Sequence, residues 1–165
     1  MLELGSFAGG ITFEIARAYP DIELTIADEN SDYLRYLHDE LINRTLPGRV
    51  RLVETKLGRL VFPDTSFDFV ILRGAFFFIM AAPQILTEIH RVLKPGAQAF
   101  IGGGYGIGVP PDVIAEIAEE SRILNDRLGR RRVSVGELKK LLVSVELAEK
   151  ARIIEDGGVW ILLGK

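Results

Sequence analysis

Short apolar runs of β character alternate with helical patterns along this 165-residue chain, and a glycine-rich turn follows the first run immediately. That alternation predicts an α/β domain built on a mostly parallel sheet, because parallel strands need a crossover helix between them. Met1 to Leu4 reads as a stub of strand, Gly5 to Gly10 as the turn, and Ile11, Ile15, Ala18 and Tyr19 as one face of a helix ended by Pro20. Further strands are expected at Ile22 to Ala27, Val50 to Val53, Phe67 to Leu72 and Ala97 to Ile101. Helices are expected between them, carrying Leu34, Leu37 and Leu41, then Ile85, Ile89 and Val92. Ser31 is placed to cap the first of these, Pro83 to open the second, and Lys94-Pro95-Gly96 to stop it. Pro110 and Pro111 open another helix. Ser134 and Glu137 have capping-box spacing ahead of Leu138, Leu141, Leu142 and Val145. Two last strands, Ala151 to Glu155 and Val159 to Leu163, flank Asp156-Gly157-Gly158, which predicts an antiparallel hairpin.

Length and composition suit one domain with a real core. A net charge of −3 argues against a chain built mainly to grip nucleic acid. With no cysteine there is no disulfide, thiolate metal site or cysteine nucleophile. No apolar run reaches the roughly 18 residues of a membrane helix, and the start lacks the basic flank of a signal peptide. The expected setting is cytoplasmic, with a small-molecule partner and neither nucleic acid, membrane nor metal. A strand that should be central begins at residue 1, so the domain is expected to lack its preceding N-terminal helix. The apolar face so uncovered favours a homo-oligomer.

In open α/β sheets ligands bind at the carboxyl ends of the strands. Here those ends carry the glycine turn, the pair Asp28-Glu29 and the segment Arg73-Gly74-Ala75. Glycines at 5, 9 and 10 let the backbone approach a ligand. Asp28 lies 23 residues after Gly5, near the spacing of an acid whose two oxygens accept both hydroxyls of a ribose. In Gly5-Ser6-Phe7-Ala8-Gly9-Gly10, Phe7 occupies the place of the second glycine of a dinucleotide fingerprint, which disfavours a pyrophosphate and hence NAD or FAD.

Four stretches, LELGSFAGG (2–10), TIADEN (25–30), FPDTSFDFVILRGAFFF (62–78) and EIHRVLKPGAQAFIGGG (88–104), together with the tail VWILLGK (159–165), resemble the class I S-adenosylmethionine-dependent methyltransferases. The resemblance is to the small-molecule group that includes the ubiquinone-biosynthesis type. It implies a Rossmann-like sheet of seven strands in the order 3-2-1-4-5-7-6, with the seventh antiparallel, and S-adenosyl-L-methionine as cofactor. It implies that Glu3 and the loop from Gly5 through Ser6 and Phe7 to Gly9 sit by the methionine part, and that Asp28 holds the ribose. Glu29 falls beside the adenine, Lys56 and Leu57 at its edge, and Arg73, Gly74 and Ala75 under the transferable methyl group. Methyl transfer to an unidentified small molecule is the implied reaction.

The chain departs from the family pattern in three places. Phe7 replaces a glycine, Lys56 replaces an aspartate, and the helix before the first strand is absent. These keep open a second reading, a catalytically inactive binding or subunit-interaction module of the same fold. Plainer roles also stand beside the sharp ones. The glycines can simply make a strand-to-helix turn, and Arg73 can pair with a carboxylate. His38 and His90 read as surface or boundary residues. Phe76, Phe77 and Phe78 read as core and pocket wall, and Arg127, Arg130, Arg131 and Arg132 as a solvated face. No catalytic base stands out.

Overall fold

A computed structural model describes residues 1–6, 10–44, 49–73, 76–127, 129 and 133–165. Seven strands form one sheet: β1 (Leu2–Leu4), β2 (Glu23–Asp28), β3 (Arg49–Glu54), β4 (Phe67–Leu72), β5 (Leu93–Gly104), β6 (Ala151–Ile154) and β7 (Gly158–Gly164). Their order is β3-β2-β1-β4-β5-β7-β6, as the resemblance implies. The first five pair in parallel, and β7 runs antiparallel to both β5 and β6, which makes the expected hairpin.

The three residues of β1 lie inside the sheet, between β2 and β4. Leu2 pairs with Thr25 on one side and Val70 on the other, and all three residues of β1 are buried. Such a short strand suffices because neighbours on both flanks satisfy its backbone groups. Side chains alternate across the sheet, so Leu2 and Leu4 join one core and Ile26 joins another. The first core is packed by α3 (Gln84–Val92) through Ile85, Leu86 and Ile89, and by α5 (Val135–Ser144) through Leu138, Leu141 and Leu142. The second takes Phe13 from α1 (Gly10–Ala18) with Leu34 and Leu37 from α2 (Ser31–Arg44). The remaining helix, α4 (Pro111–Arg127), buries no side chain and exposes Val113, Ile117 and Leu124.

Local signals placed most helix ends. Ser134 and Glu137 form the reciprocal capping box. The start of α2 is a correction. Asn30, not Ser31, caps it, with Asn30 Oδ1 accepting from the Asp32 and Tyr33 N–H groups at 2.8 and 3.3 Å. Ser31 is already the first helical residue.

Strand β5 is also longer than expected. Helix α3 ends at Val92 and the chain becomes extended at Leu93. Lys94-Pro95-Gly96 lies inside the strand, where the register against β4 jumps from Phe67↔Leu93 to Phe69↔Gln98. Gly96, at φ +78°, donates its N–H to the Lys165 carbonyl at 2.8 Å, which ties this irregular stretch to the end of β7. At its other end the strand keeps the triple glycine, with Gly102 opposite Trp160 and Gly104 opposite Gly158. A Cβ on Gly102 would lie 2.5 Å from the Val159 carbonyl oxygen and 2.6 Å from the Trp160 ring. Close approach of β7, rather than the termination of β5, is what requires glycine there.

Candidate functional site at the strand tips

The carboxyl ends of β2, β1, β4 and β5 stand side by side, because those strands are neighbours in that order. Asp28 is the last residue of β2, not the residue after it. It pairs with Glu54, and its carbonyl accepts from the Thr55 N–H at 3.0 Å. The residue as a whole is 7% exposed, and its Oδ1 accepts from the Asn30 N–H at 2.8 Å. Burial raises the Asp28 pKa, partly offset by the backbone N–H groups of Asn30 and Glu29. One turn therefore does two things: Asn30 caps α2 with its side chain and orients Asp28 with its backbone.

Asp28 and Gly5 line a cavity of about 610 Å³. It is also lined by Leu57 and Gly58, from the turn after β3, and by Phe78 and Ile85, from the segment leading into α3 and its first turn. Glu29 and Lys56 line it as well. The Leu57 N–H donates to Glu29 Oε1 at 2.6 Å, so the tip of β2 is fastened to the turn that faces it. Leu57 buries its side chain, whereas Lys56 is exposed. Gly5, whose φ of +59° favours glycine, donates its N–H to the Ala27 carbonyl at 2.9 Å.

A network that sequence reading did not find holds the 60–64 stretch in place. Arg91 of α3 donates to the carbonyls of Phe62 and Leu60 at 2.9 and 3.1 Å, and to the carboxylates of Glu88 and Asp64 at 2.7 Å. Glu88 Oε2 in turn accepts from the Leu60 N–H at 2.7 Å. Hydrogen bonds from Arg91 hold the Glu88 pKa below its ordinary value. The sequence signal for this was only the helical spacing of Glu88 and Arg91; their partners lie 27 to 31 residues away.

At the tip of β1, Glu3 is 4% exposed, and its Oε2 has no hydrogen-bond partner among the described residues. Burial pushes its carboxyl up to about 7, against the pull of the Arg73 charge and of the Thr12 N–H. Ser6 Oγ and Thr12 Oγ1 are likewise buried and, among the described residues, unpartnered. Three orphan polar atoms around one glycine turn are costly in a folded protein unless a ligand meets them.

Arg73 follows β4. Its Nη2 donates to the Gly104 carbonyl at the tip of β5 at 2.7 Å, and its guanidinium lies 6.0 Å from the centre of the Trp160 ring. It pairs with a backbone carbonyl, which corrects the structural expectation of a carboxylate partner. Glu3, Ser6 and Arg73 do not line the cavity that holds Gly5, Asp28, Glu29, Lys56 and Leu57. Phe7, Gly9, Gly74 and Ala75, also expected at the site, lie outside the described residues. So do Arg130, Arg131 and Arg132.

Among the other candidates, Phe76 is buried, and Phe78 is both exposed and on the cavity wall. His38 is exposed beside Asp39, and His90 sits 3.1 Å from Lys150 Nζ, away from the strand tips. Among the described residues no helix is long and apolar enough to cross a membrane.

An acid at the tip of β2, a glycine turn after β1 and this strand order define the class I methyltransferase type of α/β domain. Residues 1–96 match the family model described as a methyltransferase domain. The chain belongs to that family, within the S-adenosylmethionine-dependent class that its motifs resemble.

Among curated relatives, it is 35% identical over 102 residues to the ubiquinone/menaquinone biosynthesis C-methyltransferase UbiE of Rhodopseudomonas palustris, covering 59% of this chain and 39% of that protein. It is 31% identical over 102 residues to the UbiE of Pasteurella multocida, covering 61% of this chain and 38% of that one. The chain thus spans about two fifths of the length of the curated relatives it matches.

A solved structure from Methanococcus maripaludis, assigned as an S-adenosylmethionine-dependent methyltransferase, superposes with a TM-score of 0.83 at 23% identity, over 99% of this chain and 76% of that one. The [4+2]-cyclase SpnF superposes with a TM-score of 0.67 at 20% identity, over 93% of this chain and 51% of that one. At such identities the likeness is one of fold. The cyclase shows why fold alone leaves the reaction open.

Proposed function

We propose that this chain is a single S-adenosylmethionine-binding domain that transfers a methyl group to a small-molecule acceptor. The observation that carries the reading is the buried residue Asp28, its carboxylate held by the Asn30 N–H, on the wall of a cavity large enough for a nucleoside. When bound, S-adenosylmethionine supplies a methyl group already activated by its sulfonium. The residues of the chain then have to bind, orient and exclude water.

Asp28 accepts the two ribose hydroxyls, and Leu57 packs against the adenine. Lys56 offers no acceptor at the adenine edge. Glu29 stands in, since one of its oxygens holds Leu57 and the other is left to accept from the adenine amino group. The orphan Glu3 Oε2 and Ser6 Oγ suit the ammonium of the methionine part, which brings the donors and positive charge they lack. Arg73, which follows β4, stands where the resemblance puts the floor under the methyl group. The retained acid and cavity support an enzyme over a non-catalytic module. The names of the UbiE relatives support the finer reading, methylation of a ring carbon in a quinone-type precursor. The exposed apolar side chains of α4 support self-association.

Thermal unfolding with S-adenosylhomocysteine and with NAD tests the reading. A ligand at a hundred times its Kd adds about 2.7 kcal/mol to stability. S-adenosylhomocysteine should raise Tm, NAD should not, and Asp28→Ala should remove most of the rise. An undiminished rise in that variant would sink the ribose assignment.

A further inference from the structure

Read along the sheet edge, the candidate site has an order. The nucleoside cavity lies over the tip of β2 and the turn after β3. The orphan atoms of Glu3 and Ser6 mark the tip of β1. Next in the sheet come β4 and β5, whose tips carry Arg73 and Gly104. A methyl group in flight from a sulfonium must meet its acceptor on the side away from the nucleoside, and that side is the β4–β5 end.

Arg73 is built to present charge there. Its Nη2 hydrogen bond to Gly104 fixes the guanidinium, and that bond uses one of the five N–H donors of the group. Among the described residues Arg73 has no ion pair within 4.0 Å. Glu3 feels its charge without forming such a pair. The Trp160 ring stands beside it, with its centre 6.0 Å from the guanidinium carbon. A cation beside an apolar ring is screened less than one in open water. Neither histidine of the chain stands near this corner to take a proton from an acceptor, since His38 is on the exposed face of α2 and His90 contacts Lys150.

We infer that Arg73 selects a methyl acceptor carrying an anionic oxygen, a phenolate or a carboxylate, and turns away cationic amines. This rests on the proposed methyl transfer. In the transfer, an electron pair of the acceptor forms the new bond to the methyl carbon, and the pair of the broken S–C bond stays on sulfur. The acceptor proton, where one is displaced, leaves to solvent. An oxygen that arrives ionised donates electron density without needing a base, and the guanidinium keeps it in place through charge-assisted hydrogen bonds.

The test uses the whole chain saturated with S-adenosylhomocysteine, with binding measured by calorimetry at pH 8.5 and low ionic strength. Benzoate is compared with methyl benzoate, 4-nitrophenolate with 4-nitroanisole, and benzylamine serves as the cation. At least one anion should bind about tenfold or more tightly than its neutral partner and than benzylamine. The pair that shows the preference identifies carboxylate or phenolate. In Arg73→Gln the ratio within that pair should fall close to one, and Arg73→Lys should keep part of it. A ratio between two probes on one variant does not respond to a general loss of fold or of affinity. Equal binding within both pairs, no anion binding, or a preference that survives in Arg73→Gln overturns the inference. Failure of S-adenosylhomocysteine to load the unmodified chain overturns the underlying methyltransferase reading, whereas loading without an anion preference overturns this inference alone.

Discussion

The Leu57 N–H donates to Glu29 Oε1 over 2.6 Å, joining the end of β2 to the turn after β3, and both residues line the cavity. Glu29 is exposed and still makes a charge-assisted bond to a backbone group, so it fastens together two segments that line the cavity. Glu29→Ala should weaken S-adenosylhomocysteine binding by about tenfold, corresponding to the roughly 1.5 kcal/mol low end of a hydrogen bond to a charged group. Calorimetric titration of the variant checks this. An unchanged Kd would mean that the turn holds its place without the carboxylate.

Glu3 gives the chain a pH dependence whose sign follows from its burial. Its carboxyl titrates at about 7 in the folded chain against 4.5 in the absence of burial. Between those values the folded state holds a proton that the unfolded state has released. Stability is therefore greatest below pH 4.5 as far as this group is concerned, and falls as pH rises to 7, by on the order of 3 kcal/mol. Glu3→Gln, which stays neutral, should match the parent near pH 4 and exceed its Tm at pH 8 when both are free of cofactor. Thermal unfolding at the two pH values distinguishes this from a pH-independent effect of the substitution.

Arg91 joins Leu60, Phe62, Asp64 and Glu88 into one network. Its loss would leave the partly buried Glu88 carboxylate and two carbonyls without their donor. Arg91→Ala should lower unfolding stability by about 2 to 4 kcal/mol, measured by urea titration, and Arg91→Lys should recover only part because the ammonium lacks the fork. A loss within 0.5 kcal/mol would show that the stretch is held by apolar packing alone.

Gly102 faces Trp160 with no room for a methyl group. The obstructing atoms include backbone, so relief requires β5 and β7 to separate. Gly102→Ala should cost about 1 to 3 kcal/mol or more, read from urea unfolding. The neighbouring Gly103→Ala, whose Cβ would meet only aromatic rings at 3.3 Å or beyond, should cost less.

The fold was legible in the sequence wherever one short stretch carries its own physics. Alternating β and helical runs announce parallel strands, Asp156-Gly157-Gly158 turns the last hairpin, and Ser134 and Glu137 cap α5 within three residues of each other. Asp28 was legible for the same reason, as an acid at a strand end a set distance from a glycine turn. The start of α2 was misassigned because Asn30 and Ser31 are both good caps, and only the fold of the Asp28 turn chooses between them. Strand β5 was read short because proline and glycine are local stop signals, while pairing with β7 and β4 carries the strand through them.

Amino-acid order alone determined the layers of this protein, the strand that leads into the glycine turn and the acid at the tip of β2, since backbone geometry and hydrophobic period act over a few residues. Tertiary structure alone decided that Glu29 grips Leu57, that Arg91 reaches back to Leu60 and Phe62, and that Arg73 rests on Gly104 instead of on a carboxylate. Those partners are 28 to 31 residues apart along the chain. No periodicity spans such a distance, and only closure of the sheet brings the groups within hydrogen-bonding range.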